Sequence, residues 1–499
     1  MYLMAFSDTT VRQAWERSGG RCECQRVGHN HGYTGRCTKH LLWSARGNDY
    51  SPYGWEAHHK TAVASGGSDA LYNCEILCIV CHKKTGTYGI LHVLVWRAAT
   101  CPPKSLERTL AMFDPKEPYN ELPFISDIDI ESNDTLIRLR EETRVSLELL
   151  NYALRTLPNP EGLLDTLALQ EAKVSSKIEN IHTTNDDLYR AVAFKNFTAE
   201  TQAVSDYKDS LIRGFELLDQ KGQFGIEDLE DINEPVNQSG YGVRTNLPNF
   251  GSLTRITKNT ESGEEVIYTP PHGKEILMMH LAEMLNYIYD DEQYPEHPLI
   301  KIALAHCQFE NIHPFKDGNG RTGRILNILF LCQKGYLSFP ILYASLYIMK
   351  NKNEYYEILR TSKEKEDYTE AVSYILKSFK ETADRTRNII EEIVAATREY
   401  TLTEENDPDP PKVGIRKYFT DDMTGNKKAI CDVIRLIMKK PYIRNCDLVE
   451  AGYANRQTAA VYLDQLATKG VLSKEKVGKE NIYKNIKLLG LFESEENYE

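Results

Sequence analysis

The sequence predicts a mainly α-helical protein built from several modules, and three observations carry that reading. Apolar residues recur at helical spacing, as at Ile430, Val433, Ile434 and Ile437, or at Leu169, Ala172 and Ile178. Six of the 11 cysteines crowd together at Cys22, Cys24, Cys37, Cys74, Cys78 and Cys81, which marks off a small metal-bearing module at the N-terminus. With 499 residues and 41% apolar content, the chain is long enough for roughly two to four domains, each with its own core.

Charge is unevenly spread. The whole chain carries −12, yet residues 1–110 hold 13 Lys and Arg against 8 Asp and Glu. A basic N-terminal module on an acidic body fits a small nucleic-acid contact or a surface bias. No apolar run approaches the roughly 18 residues of a membrane span, and Ile90–Trp96 is too short. The N-terminus lacks a charged-then-apolar leader. These features predict a cytoplasmic protein without membrane contact, where clustered thiols point to metal rather than disulfides.

In the N-terminal module, Cys78-Ile79-Val80-Cys81 is a CxxC knuckle followed directly by His82. Four thiolates drawn from Cys22, Cys24, Cys37, Cys78 and Cys81 would suit a tetrahedral structural Zn2+, and the tight Cys22–Cys24 spacing leaves one of them spare. Between the clusters stand His58 and His59, then Gly66-Gly67-Ser68, then Asn73. This order resembles an HNH nuclease, a ββα-metal module over residues 1–100. The resemblance implies that His59 is the general base activating water. It also implies that His58 and His82 hold a catalytic divalent metal, and that Asn73 orients His59. A zinc-stapled module that binds without cutting is the alternative.

Leu169–Asn180 reads as a helix with Leu169, Ala172 and Ile178 on a partly buried face, and Ser175 and Glu179, four apart, share a face. Gly242-Val243-Arg244 through Val266–Pro271 contains strand-like runs around a polar turn, a hairpin pattern. After the apolar stretch Ile300–Cys307 comes the densest signal in the chain, His313-Pro314-Phe315-Lys316-Asp317-Gly318-Asn319-Gly320-Arg321-Thr322-Gly323-Arg324. It combines a base, a carboxylate of the kind that holds Mg2+, glycines whose amides can cradle anions, and two guanidinium forks that fit phosphate. A helix starting near Thr322 would add positive potential at its N-terminus. A glycine-rich turn with solvated arginines is the plain alternative.

The loop resembles the Fic signature HPFx[D/E]GNGRxGR without departure. The resemblance implies an all-helical core with a β-hairpin flap over residues 112–400. It also implies transfer of AMP from Mg·ATP to a Ser, Thr or Tyr hydroxyl of a protein, the chain itself included, with release of pyrophosphate. His313 would be the base and Asp317 the Mg2+ ligand. Phe315, Gly318, Asn319, Gly320 and Gly323 would form the nucleotide-binding stretch, Arg321 would grip phosphate and Arg324 the γ-phosphate. Ser175, Glu179 and Asn180 resemble the Fic inhibitory motif [S/T]xxxE[G/N], which implies that Glu179 pairs with Arg324 and blocks productive ATP binding; in some relatives the same Glu supports removal of AMP. Gly242, Val243 and Arg244 would open the flap that docks the target. Tyr347–Asn351, with Tyr355 and Tyr356, would lie near adenine and ribose, and a homodimer is compatible with the family. Met112–Tyr119 resembles the start of a stand-alone Fic protein.

Glu404–Lys412 is acidic and proline-rich and reads as a linker. Beyond it, over residues 412–499, come a helix at Lys427–Met438, a short one near Cys446–Ala451, a third with Asn455 as N-cap, and a hairpin over Val471–Tyr483 turning at Gly478. That order is a winged helix-turn-helix, in which Arg456, Gln457 and Thr458 would enter the major groove of DNA. Two further readings therefore stand beside the transferase: a metal-dependent DNA endonuclease regulated by the Fic part, and a DNA-binding transcription regulator.

Overall fold

The structure is a computed structural model that describes residues 6–26, 36–46, 53–60, 68, 70–83, 114–130, 133–155, 161–244, 256–260, 263–401 and 427–493. Gly66, Gly67, Met112 and the linker at Glu404–Lys412 lie outside them. The chain divides into two compact units, Met1–Met112 and Phe113–Glu499.

In the first unit, helix α1 (Asp8–Ser18) starts where Ser7 accepts a hydrogen bond from the Thr10 amide and stops at Gly19, whose φ of 63° lies in the left-handed region. Strands β1 (Trp55–His59) and β2 (Cys74–Cys78) pair antiparallel with His59 opposite Cys74, and helix α2 (Ile79–Lys83) follows β2 directly. Val11, Ala14, Trp55, Ile76, Leu77 and the cysteines form the core. Arg17 ties α1 to the strand entry through Glu23 and the carbonyls of Leu71 and Cys74.

The second unit is helical apart from two small sheets. Its helices are α3 (Asp134–Arg155), α4 (Glu161–Ile178), α5 (Asn185–Phe194), α6 (Ala199–Lys221) and α7 (Ile226–Asn233). The flap strands β3 (Ile256–Thr260) and β4 (Gly263–Tyr268) follow. Then come α8 (Lys274–Tyr289), α9 (Pro298–Ile312), α10 (Asn319–Gln333), α11 (Ala344–Lys350), α12 (Lys352–Lys365) and α13 (Thr369–Thr401). Thirteen of the 15 residues of α9 are buried, polar Lys301, His306, Gln308 and Asn311 among them, so it is enclosed on nearly every side. The 33-residue α13 packs along α3. Gly214 lets α6 approach α10, because a Cβ there would stand 2.3 Å from Leu329 Cδ1. Among the described residues no helix is long and apolar enough to cross a membrane.

The chain closes with α14 (Lys427–Ile437), β5 (Tyr442–Ile443), α15 (Asn445–Glu450), α16 (Arg456–Thr468), β6 (Leu472–Val477), β7 (Glu480–Asn485) and α17 (Ile486–Glu493). The strands form a sheet in the order β5-β7-β6, turning at Gly478 with φ of 61°. Asn455 caps α16 by accepting from the Thr458 amide at 2.9 Å, and Arg456 and Gln457 are exposed. Ile430, Val433, Ile434 and Ile437 are all buried, as their spacing requires. This region rests on α4 and α5: Thr166 donates to the Lys439 carbonyl at 2.6 Å, Arg190 pairs with Glu475 at 2.6 Å, and Lys484 pairs with Asp186 at 2.7 Å.

Candidate active site

Helix α9 ends at Ile312 because His313 turns into the left-handed region (φ 48°) while its amide still bonds the Phe309 carbonyl at 2.9 Å. Left-handed backbone is uncommon for a residue with a Cβ and marks a position that its surroundings enforce. The chain then crosses to α10, which starts at Asn319, three residues earlier than the sequence suggests. The reason is local: Gly318 takes φ of 77° and supplies the break, so the helical turn begins at once. A Cβ on Gly318 would also stand 2.9 Å from the Val236 carbonyl. Gly318→Ala therefore combines about 1–2 kcal/mol of left-handed strain with a backbone clash, and its urea midpoint should fall with loss of any loop function. An unchanged midpoint would show that the loop is looser than this.

Phe315 is fully buried and anchors the loop. Asn319 clasps it, accepting from the Phe315 amide and donating to its carbonyl, both at 2.8 Å. The amide of Asn319 is thus committed to shaping the loop and does not point free toward a ligand. Asp317 accepts from the Gly318 amide at 2.7 Å, lies 3.6 Å from Arg321, and its side chain stays 40% exposed, so its carboxylate can take a cation from solvent. Arg321 is buried with its Nε unpartnered.

Arg324 is 1% exposed, and its Nε and Nη2 are held by Ser175 of α4 and by Glu179 just past the end of that helix. Nε donates to Ser175 Oγ at 2.8 Å, and Nη2 donates to the Ser175 carbonyl at 3.1 Å and to Glu179 Oε1 at 2.7 Å. Burial pushes the Glu179 carboxyl up, but Arg324, with Arg321 and Lys352 behind it, more than offsets this and holds it below the usual range. Glu179 also overlies the loop, since a Cβ on Gly320 would sit 2.5 Å from Glu179 Oε1. Asn180 adopts φ of 63°, which explains why the end of this motif takes Gly or Asn: both tolerate the left-handed turn that lifts Glu179 off the helix end.

Burial lowers the His313 pKa to about 4, with Arg244 and Lys363 acting in the same direction and Glu179 and the Glu310 backbone opposing them. The ring is therefore neutral, as a base must be, far below an ordinary imidazole's range. Several contributors escaped the sequence reading. Asn233 donates to the Asp317 carbonyl at 3.1 Å and to Thr322 at 3.0 Å, and Lys352 caps the Ile178 carbonyl at 2.6 Å. Glu310, half-buried with its Oε1 enclosed and its pKa raised to about 7 by desolvation, sits where a Gly323 Cβ would be 2.7 Å from that oxygen. None of these carries a local signal, because each acts across long sequence separations or through helix packing. Tyr355, expected near adenine, is buried with its hydroxyl 2.9 Å from His306 Nε2, while Tyr356 is 41% exposed. Gly242, Val243 and Arg244 form a bend ahead of the flap strands rather than part of one, with Gly242 at φ 89° and the Val243 amide on Glu230 at 2.9 Å.

In the first unit, Cys22, Cys37, Cys78 and Cys81 place their sulfurs within 4.8 Å of one another, all buried. The sulfur of Cys24 lies outside this group, beside Arg26 at 3.9 Å, so it is the spare thiol of the close pair. The Cys78 amide donates to Cys22 Sγ at 3.2 Å and the Cys81 amide to Cys78 Sγ at 3.4 Å, bonds that favour thiolate. His58 and His82 pack edge to face at 5.3 Å, and burial, His82 and Arg26 lower the His58 pKa to about 3, which keeps it neutral as a metal ligand requires. Phe6 stacks on the His59 ring at 3.6 Å, and Asn73 donates to the Ser68 carbonyl at 2.8 Å.

Comparison with known proteins matches these regions one by one. Models of the Fic/DOC family N-terminal region and of the Fic/DOC family match residues 137–216 and 224–331. A model of HNH endonuclease matches residues 35–87, and one of the protein adenylyltransferase SoFic-like C-terminal domain matches residues 430–488. Among curated proteins, the chain is 33% identical over 85 residues to protein adenylyltransferase fic-1 of Caenorhabditis briggsae, covering 16% of this chain and 17% of the relative. It is 34% identical over 94 residues to protein adenylyltransferase Fic of Aedes aegypti, covering 19% of this chain and 17% of the relative. A Fic family protein of Desulfovibrio desulfuricans G20 aligns in structure with a TM-score of 0.43 at 17% identity, covering 71% of this chain and 97% of that one. The loop, the segment that meets its second arginine and the flanking modules thus match known families region by region: residues 137–216 and 224–331 are similar to the Fic/DOC family, an HNH-like region precedes them and a SoFic-like region follows, and the matched segment spans only 17% of the length of these curated relatives.

Proposed function

We propose that the chain is a self-inhibited protein adenylyltransferase, moving AMP from Mg·ATP to a protein hydroxyl, its own included. The observation that carries this is the Glu179–Arg324 pair at 2.7 Å lying over Gly320, a carboxylate seated where a phosphate oxygen would go. The residues fit the nucleotide on independent grounds. Arg321 has a buried Nε without a partner, and the N-terminus of the 15-residue α10 faces the same loop with its amides.

His313, neutral, takes the proton of the incoming hydroxyl as its oxygen bonds to the α-phosphorus. The bond from that phosphorus to the bridging oxygen breaks, and pyrophosphate leaves. Mg2+ would neutralise phosphate charge, and Asp317 is the carboxylate placed to hold it. Arg321 and Arg324 would balance charge on the departing phosphates. The role of the chain is mainly alignment and charge stabilisation.

Because burial sets the His313 ring near pKa 4, the acid limb of the rate should lie well below pH 6.5. The neutral base persists as pH falls and is lost only on crossing about 4. Pyrophosphate release by Glu179→Gly, which removes a group favouring imidazolium, should stay level from about pH 6 to 8. A midpoint near 6.5 would mean that the ring is solvated.

For the first unit we propose a structural Zn2+ on Cys22, Cys37, Cys78 and Cys81. A second divalent ion near His58 and His82 would serve DNA cleavage with His59 as base and Asn73 orienting it, the stack of His59 on Phe6 holding the ring. Metal-dependent nicking of plasmid DNA that His59→Ala abolishes is the test. We further assign residues 1–100, 112–400 and 412–499 as modules. The last is read as a winged helix whose exposed Arg456 and Gln457 suit duplex DNA, in a protein of the cytoplasm.

A further inference from the structure

The two roots of the flap grip the backbone that carries His313. Tyr268, the last residue of β4, donates its hydroxyl to the Asn311 carbonyl at 2.7 Å. Arg244, before β3, donates Nη2 to the Ile312 carbonyl at 3.2 Å, Nε to the His313 carbonyl at 2.7 Å, and its backbone amide to the Pro314 carbonyl at 2.9 Å. Four successive carbonyls, 311 to 314, are thus each held from the flap. Of these, Asn311 and Ile312 are among the carbonyls that the end of α9 leaves without helical partners, and a cation there is favoured by the helix dipole. Arg244 also donates Nη2 to the Pro271 carbonyl at 2.6 Å, which ties one root of the flap to the other.

The arrangement is costly. Arg244 is 1% exposed, and among the described residues no carboxylate pairs with it and its buried Nη1 has no partner. Burying a guanidinium without a counter-ion is strongly unfavourable. A neutral residue could fill the space, so what Arg244 contributes is its fork: donors spaced to reach carbonyls on two different segments.

We infer that Arg244 is a positioning residue that couples target docking on the flap to the placement of His313. It rests on the transferase reading: a target segment laid along the flap shifts its roots, and the shift is passed by Arg244 and Tyr268 to the backbone of the base. His313 stays in its left-handed turn because its carbonyl is held, and the ring is aimed by that turn.

The test uses the full chain with Glu179→Gly as parent and adds Arg244→Met, Arg244→Lys or Tyr268→Phe. Arg244→Met is expected to lower kcat for transfer to protein about a hundredfold while KM for Mg·ATP changes less than threefold. Arg244→Lys should recover part of the rate, and Tyr268→Phe should cost about tenfold. The charged groups facing His313 are Arg244 ahead of the flap, Glu179 just past the end of α4 and Lys363 from α12, with the Glu310 backbone on its own helix. With Glu179 gone in the parent, loss of Arg244 moves the acid limb toward neutral pH. Hydrogen exchange supplies a readout independent of activity: amides of residues 309–318 should exchange faster in Arg244→Met and the rest of the chain should not. Exchange there equal to the parent, or a loss confined to KM for Mg·ATP, overturns the inference. A parent that transfers nothing sinks the transferase reading alone, since exchange still decides the coupling. If Arg244→Met fails to melt cooperatively, Tyr268→Phe carries the same measurements.

Discussion

Glu179→Gly is expected to raise AMP transfer from α-labelled ATP to protein by about a hundredfold or more, and adding His313→Ala is expected to erase the gain. The size follows from what Arg324 is doing. Its Nε and Nη2 donate to Ser175 and Glu179, so the edge of the guanidinium that Glu179 holds is closed to a triphosphate. Removing one preorganised charge-stabilising group from an active site typically costs a hundred- to a thousandfold, and here the group is present but occupied. Glycine at 179 frees Nη2 and also clears the space above Gly320 that the carboxylate oxygen fills. Helix α4 itself should persist, because Ser175 stays in place and Lys352 still caps the Ile178 carbonyl. The double variant then separates chemistry from binding, since His313→Ala leaves the phosphate-facing groups intact. Equal labelling by wild type and Glu179→Gly would show that the carboxylate is no brake, and labelling that survives His313→Ala would remove the ring from the role of base.

Loss of metal from the cysteine cluster should unfold the first unit while leaving the second intact. Among the described residues, the core of this unit holds few apolar side chains besides its cysteines: Phe6, Val11, Ala14, Leu41, Trp55, Ile76 and Leu77. A structural Zn2+ contributes on the order of 10–16 kcal/mol of apparent binding free energy, which a core this small cannot replace. The natural probe is tryptophan emission, because Trp15, Trp43, Trp55 and Trp96 are all four tryptophans of the chain and all precede residue 112. Trp15, Trp43 and Trp55 pack together, with ring centroids 4.4 to 5.6 Å apart. Cys37→Ser, or thiol modification followed by chelation, should shift the emission to the red and release one equivalent of zinc to a colorimetric dye. Far-ultraviolet ellipticity, dominated by the helical second unit, should fall only slightly. Cys24→Ser should do neither. Unshifted emission in Cys37→Ser, or no zinc released from the native chain, would end the structural-zinc reading.

The sequence by itself determined what is written in consecutive residues. The loop from His313 to Arg324 is legible because its glycines, aspartate and arginines act through local backbone geometry, and a helix with Ser175 and Glu179 on one face is a matter of 3.6-residue periodicity. The spacing of Ile430, Val433, Ile434 and Ile437 likewise declared its buried side. Pairing Glu179 with Arg324 was legible only through family resemblance, since 145 residues separate them. The tertiary structure decided the rest. It chose Cys22, Cys37, Cys78 and Cys81 over Cys24, because only packing brings sulfurs from a loop, β2 and α2 within reach. It turned Asn319 inward to clasp Phe315, and it set Arg244 against the backbone of two segments, at 271 and at 312–314, rather than on a strand. Such contacts have no local signature: they depend on where a folded chain puts carbonyls and charges from distant segments, and burial then fixes their strength.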